Sequence, residues 1–254
     1  MYINDVSIIA YVVVAILGAI AGEITDILNY FLPKHKKIFS NENFKEYLNS
    51  ATPKYLLMVI HIFIYAGILF RYGTNDINTI KYMVLTPMII SAFYIDHKKQ
   101  IIPNRLTLTI FEVGLIFMFI SMVFSNNVTY SMLQGMNTLQ GMAIGGIIFF
   151  ILTILGGFIF GKETMGFGDV KMMAALGLYF GFEGIIAVSI IAFLIAAIYS
   201  IVLLIIQKIK HNDVVEYIAF GPFIVISSFI VMFVPLEVLM VLPFVVFSFG
   251  KYRL

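Results

Sequence analysis

Nine apolar runs follow one another along the chain, at 6–21, 55–70, 80–95, 106–124, 141–160, 170–181, 185–206, 217–234 and 236–249. Between them lie short polar breaks and one longer mixed-charge segment, 34–54. A helix needs about 20 apolar residues to cross hydrocarbon. An open sheet there would leave edge N–H and C=O groups unpaired. The pattern therefore predicts an all-α, polytopic membrane helix bundle of eight or nine spans. The shortest run, 170–181, reads as half-inserted or extended by its neighbours, and 236–249 is marginal as a crossing. Only an acid, Asp5, precedes the first run, which reads as a retained span and not as a cleaved signal.

Composition supports the class. Of 254 residues, 61% are hydrophobic and 12% charged, against roughly half and a quarter in soluble domains. The net charge of +2 points to no nucleic acid; the expected partner is the lipid bilayer. Cysteine is absent, which excludes a disulfide framework and a thiolate zinc site. The four histidines are too scattered to suggest any other metal site. Charge does settle an expected orientation. With 34–54 on the cytosolic side, alternate loops collect twelve Lys and Arg, and the tail adds Lys251 and Arg253 if nine spans are right. The opposite face keeps only Arg71 and Lys81, a strong positive-inside bias.

Two acids stand out against this background. Asp96 closes the third run, and Asp169 opens the sixth behind a glycine-rich stretch, Gly161-Lys162-Glu163-Thr164-Met165-Gly166-Phe167-Gly168. Two complete crossings separate them, so both are expected at one membrane boundary, the cytosolic one by the charge bias. Two carboxyl groups a few ångströms apart share a proton and titrate as a unit. They then supply one general base and one general acid, as in aspartic proteases. Gly166 and Gly168 are expected to let the backbone approach a substrate and take positive φ. Each acid also has a plain structural reading: Asp169 as the cap of the following helix, Asp96 as a boundary residue neutralised by Lys98 or Lys99.

At these residues the chain resembles the bacterial type IV prepilin peptidases, membrane aspartic proteases of the GxGD type. Gly161-Lys162-Glu163 with Met165-Gly166-Phe167-Gly168-Asp169-Val170-Lys171 and Ala174-Ala175-Leu176-Gly177 is similar to the second catalytic motif. Ile95-Asp96, Ile102-Pro103-Asn104 and Leu106-Thr107-Leu108 resemble the first, and Phe220-Gly221-Pro222-Phe223 a third. The resemblance covers roughly 80–223. It implies that Asp96 and Asp169 are the catalytic dyad, with Gly166, Gly168, Lys162, Glu163, Lys171, Pro103 and Asn104 in supporting roles. It also implies cleavage of a short basic leader from prepilins or pseudopilins, in the bacterial inner membrane with the site facing the cytosol. No cofactor is implied for proteolysis. Many members also methylate the new N-terminus with S-adenosylmethionine. Gly22, Tyr30, Leu32 and Pro33 fit their N-terminal motif, while Asp26 replaces an asparagine, Phe31 an arginine, and the zinc-binding cysteines are absent. On this reading 1–53 is a methyltransferase-like region, its activity left open, and 54–254 the peptidase domain.

Other polar residues have plainer expectations. Glu23 and Asp26 read as interfacial acids paired with Lys34 or Lys36, Glu112 as bonded to a neighbouring helix, His61 as a packing residue and His97 as headgroup-facing. The alternative function is a transporter coupling protons or cations through the same aspartates. Such sites lie near the midplane between internal repeats, and no repeat is visible here.

Overall fold

The computed structural model describes residues 2–4, 6–34, 47, 55–124, 128–160, 166–210 and 218–239. They are all-α apart from an N-terminal hairpin of two two-residue strands, β1 (Tyr2–Ile3) and β2 (Val6–Ser7). Five helical stretches are long and apolar enough to cross a bilayer: Ile8–Lys34, Tyr55–Tyr72, Asn104–Val123, Val128–Phe158 and Phe167–Ile209. The chain divides into two compact units, Met1–Ile110 and Phe111–Leu254. The marginal ninth run lies mostly outside the described residues.

In the first unit, Ser7 caps α1 (Ile8–Phe31) through a bond from Ile9 N. The helix runs ten residues past the expected end of the first span at 21, so Glu23 and Asp26 are helical. It packs antiparallel to α2 (Tyr55–Tyr72) through glycine: a Cβ on Gly18 would come within 2.9 Å of Ile62 Cα, and one on Gly22 within 2.6 Å of Met58 Cα. Such close approach is how helices associate in lipid, where burying apolar surface gains little. His61 is fully buried beside them, one ring nitrogen 2.7 Å from Leu57 O and the other 2.9 Å from Thr25 Oγ1. It is the packing histidine expected.

A tight connection at 73–76 turns the chain into α3 (Ile77–Lys99), capped by Asp76, whose Oδ1 accepts from Asn78 N at 2.8 Å. Because α2 is antiparallel to both neighbours, α1 and α3 end on the same side of this unit. Pro87 interrupts α3. It has no N–H to give the carbonyl four residues back, which is Met83 O. Tyr65 of α2 donates its hydroxyl to that oxygen at 2.6 Å, and both residues are buried. The tyrosine thus repairs the gap that proline opens in a place without water.

Helix α4 (Asn104–Val123) starts in the first unit and ends in the second. The second unit continues with α5 (Val128–Phe160), α6 (Phe167–Lys210) and α7 (Gly221–Phe233). Within α6, Gly181 leaves helical geometry at φ 68°, ψ −172°. Contacts with α5 show what happens there. Before Gly181 the pairs run in opposition: Gly141 with Gly177, Gly145 with Met173, Phe150 with Phe167. After it they run together: Gly145 with Ile185, Phe149 with Phe193. The two limbs of α6 are therefore antiparallel, and the chain reverses at Gly181. This vindicates the separation of the runs 170–181 and 185–206. The reversal leaves Phe182 N without a helical acceptor, and Asn137 Oδ1 of α5 takes it at 3.1 Å. A Cβ on Gly141 would come within 2.5 Å of both Gly177 O and Gly181 C. α7 begins with the Gly221-Pro222 pair, proline sitting where its missing N–H costs nothing.

Two predictions follow from these contacts. Gly181→Ala should destabilise by about 1–3 kcal/mol, since only glycine takes that backbone; Gly157→Ala, with nothing within 4 Å of its Cβ position, should be neutral or stabilise by up to ~1 kcal/mol. Denaturant titration in detergent reads both. Tyr65→Phe should cost about 1–3 kcal/mol by orphaning Met83 O, and the same change in a Pro87→Ala background should cost far less. A double-mutant cycle measures the difference.

Candidate active site

Asp96 sits in the last turn of α3 and is only 5% exposed. Its backbone carbonyl accepts from Gln100 N at 2.8 Å, and Gln100 ends the helix in the left-handed region (φ 53°, ψ 34°). That sharp stop turns the chain through Ile101–Pro103 into α4. Pro103 is buried, and its carbonyl accepts from Leu106 N at 3.0 Å and Thr107 N at 3.2 Å, starting the helix. Ile102, Leu106 and Thr107 are buried beside it, while Asn104 is exposed. The polar motif is thus an α3–α4 corner that holds Asp96 at its edge. Lys98, one of the two lysines the plain reading named, donates its ammonium to Tyr94 O–H and lies over that ring. His97 stacks on Phe93, centroids 6.1 Å apart.

Asp169 lies in the first turn of α6, 6% exposed, with its own N–H donating to Gly166 O at 3.0 Å. A carboxylate in a first turn is favoured by the helix dipole, and burial here removes it from bulk water. Gly166 lies against it: a Cβ there would meet Asp169 Oδ2 at 3.4 Å. A larger side chain would therefore cover the carboxyl. Neither motif glycine has the positive φ expected of it. Among the described residues only Gly73 and Gly181 do among glycines, because Gly168 has already entered the helix. Their use is small size, not backbone inversion. Lys171 is exposed, its ammonium 5.2 Å from the centre of the Phe167 ring. Lys162 and Glu163 lie outside the described residues. The third signature packs Phe220 against Phe149 of α5 and Phe193 of α6, at 5.7 and 5.2 Å between centroids, within the unit that carries Asp169.

Glu112 departs from expectation. It is exposed on α4 and, among the described residues, makes no hydrogen bond to a neighbouring helix. At the end of α1, Asp26 is buried and accepts from Tyr47 O–H at 3.0 Å. Burial, then this bond, push the Tyr47 phenol well above its ordinary range. Lys34 lies with its ammonium 3.4 Å from the centre of the Tyr30 ring. Gly22 is spent on helix packing, and Phe31, fully buried among Tyr30 and Tyr47, offers no charge. Gly22 and Phe31 thus offer S-adenosylmethionine neither charge nor a polar side chain. No group of three or more His, Cys, Asp or Glu suited to a metal occurs among the described residues.

Comparison with known proteins bears directly on the two aspartate motifs. The model of the type IV leader peptidase family matches residues 83–201. Proteins named prepilin leader peptidase/N-methyltransferase are similar over much of the chain. That of Aeromonas salmonicida (strain A449) is 28% identical over 153 residues, covering 60% of this chain and 48% of that protein. That of Xanthomonas campestris pv. campestris is 28% identical over 164 residues, covering 65% and 52%. That of Neisseria gonorrhoeae is 29% identical over 170 residues, covering 65% and 54%. The chain thus spans about half the length of the curated relatives it matches. No solved structure matches it. The matched stretch takes in Asp96, Asp169 and the helices between them, so over residues 83–201 the chain is similar to the type IV leader peptidase family.

Proposed function

We propose that this protein is a membrane aspartic endopeptidase that removes the leader peptide from prepilins or pseudopilins, with Asp96 and Asp169 as its catalytic pair. The observation that carries the reading is the burial of both carboxyls at helix ends, 5% and 6% exposed, inside the residues the family match covers. Acids are rare and costly in such surroundings unless they serve a function. In the reaction one carboxylate takes a proton from water as it attacks the scissile carbonyl. The other, protonated, gives its proton to the departing amine. Water is consumed, the peptide bond breaks, and the pair is left with its proton exchanged between partners. No metal or nucleophilic side chain enters the scheme.

The positive-inside bias supports a site at the cytosolic boundary of the inner membrane. Two helices of spanning length, α4 and α5, separate the aspartates along the chain, which supports a common side. Gly166 keeps the face of Asp169 open to an extended peptide. The transporter alternative gains nothing from the family or from the relatives.

Purified protein incubated with a prepilin should cleave it, and Asp96→Asn or Asp169→Asn should each reduce the rate by about a thousandfold or more. Thermal melting of both variants should stay close to the parent. Appreciable cleavage by either one removes the dyad. With labelled S-adenosylmethionine in the same assay we expect cleavage without incorporation, because buried Phe31 and the Asp26–Tyr47 bond occupy the α1 motif. Label on the mature N-terminus would reverse that conclusion.

A further inference from the structure

Helix α4 has two unlike faces. Gly114 and Met118 are buried, and Gly114 lies against α6, where a Cβ would come within 2.9 Å of Leu178 Cβ and of the Tyr179 ring. At about 100° per residue, Glu112 points nearly opposite to Gly114, and it is exposed. Ile116, Phe119 and Val123 are exposed on that same side, by 55%, 59% and 77%. With Glu112 they keep the alternating four-and-three spacing of a helix-packing seam. Glu112 is the ninth residue of a 20-residue helix of spanning length, about 12 Å along it at 1.5 Å per residue. That places it near the middle of the roughly 30 Å of hydrocarbon such a helix crosses. Lysine and arginine near a helix end reach the interface on long stems; the short stem of a glutamate does not span that distance. Acids at such depth almost always face a bundle interior or a watered cavity. Glu112 instead points away from the helix that α4 packs on.

We propose that this face of α4 is a docking surface for one transmembrane helix of another membrane protein, which brings a lysine or arginine to mid-depth against Glu112. A carboxylate and a cation that meet in hydrocarbon each supply what the other lacks there. Apolar contact alone gains little between helices in lipid, so Ile116, Phe119 and Val123 give the fit and Glu112 the selectivity. A second copy of this chain is the poorer occupant. Copies share one orientation in a membrane, so a two-fold contact along this seam sets Glu112 against Glu112. The inference stands apart from the peptidase reading, because Glu112 takes no part in the reaction proposed for Asp96 and Asp169.

The test places the full chain in phosphatidylcholine vesicles. Its sequence has no cysteine, so Phe124→Cys, at a position 78% exposed just past α4, carries a single donor dye. Acceptor-labelled peptides of alternating leucine and alanine, about 20 residues long, have lysine, leucine or glutamate at their centre. Energy transfer should show the lysine peptide associating at least tenfold more strongly than the leucine peptide. Glu112→Leu should erase that difference, and Glu112→Lys should pass the preference to the glutamate peptide. Equal association of the lysine and leucine peptides overturns the proposal, as does a lysine preference that survives Glu112→Leu. The Glu112→Leu protein should melt no lower than the parent; a lower melting point would mean that the acid serves the fold from within, and the docking surface would be lost. Donor- and acceptor-labelled copies of the parent are also mixed. Energy transfer between copies that disappears with Glu112→Leu would give the face to self-association and overturn the partner helix.

Discussion

Reversal of a chain between two packed helical limbs is constrained by the backbone alone. The N–H groups after the turn have lost their helical acceptors and need others. In α6 the reversal takes one residue. Gly181 adopts a conformation open only to glycine, and the side chain of Asn137 accepts the bond that Phe182 would otherwise lose. The compact turn then requires α5 to lie against both limbs at once, which Gly141 permits by having no side chain between Gly177 and Gly181. From this arrangement comes the short first limb of α6, and with it the position of Asp169.

The first unit solves the same problem by another route. Pro87 removes a hydrogen bond from α3, and Tyr65 of α2 restores it from across the helix interface. In both units a polar side chain on a neighbouring helix makes good a break in backbone pairing. Both breaks occur in a helix that carries one of the two buried aspartates, Asp96 or Asp169. Firmly placed helix ends are what the proposed action of Asp96 and Asp169 on one peptide would demand.

The bundle and its chemistry were unequally legible. Periodicity and run length were enough for the class, because lipid admits little else than helices. The aspartates were legible because an acid beside an apolar run is costly enough to need a reason. His61 behaved as a buried packing residue, and the short run 170–181 proved a separate limb. Gly166 and Gly168 misled, since a glycine wanted for small size looks the same in a sequence as one wanted for positive φ. Glu112 misled too: its depth in a run says nothing of which face of α4 it takes. The pairing of Tyr65 with Met83 joins residues eighteen apart and leaves no local pattern at all.

By itself the sequence determined an all-helical membrane protein, the order of its runs, and two acids at run ends, because hydrophobic length and the cost of charge are properties of a segment taken alone. Tertiary structure decided which glycines receive a neighbouring backbone, that Asn137 completes the turn at Gly181, and that Asn29 is buried with no hydrogen-bond partner among the described residues. Those outcomes depend on what another helix brings alongside, and a segment carries no record of its neighbours.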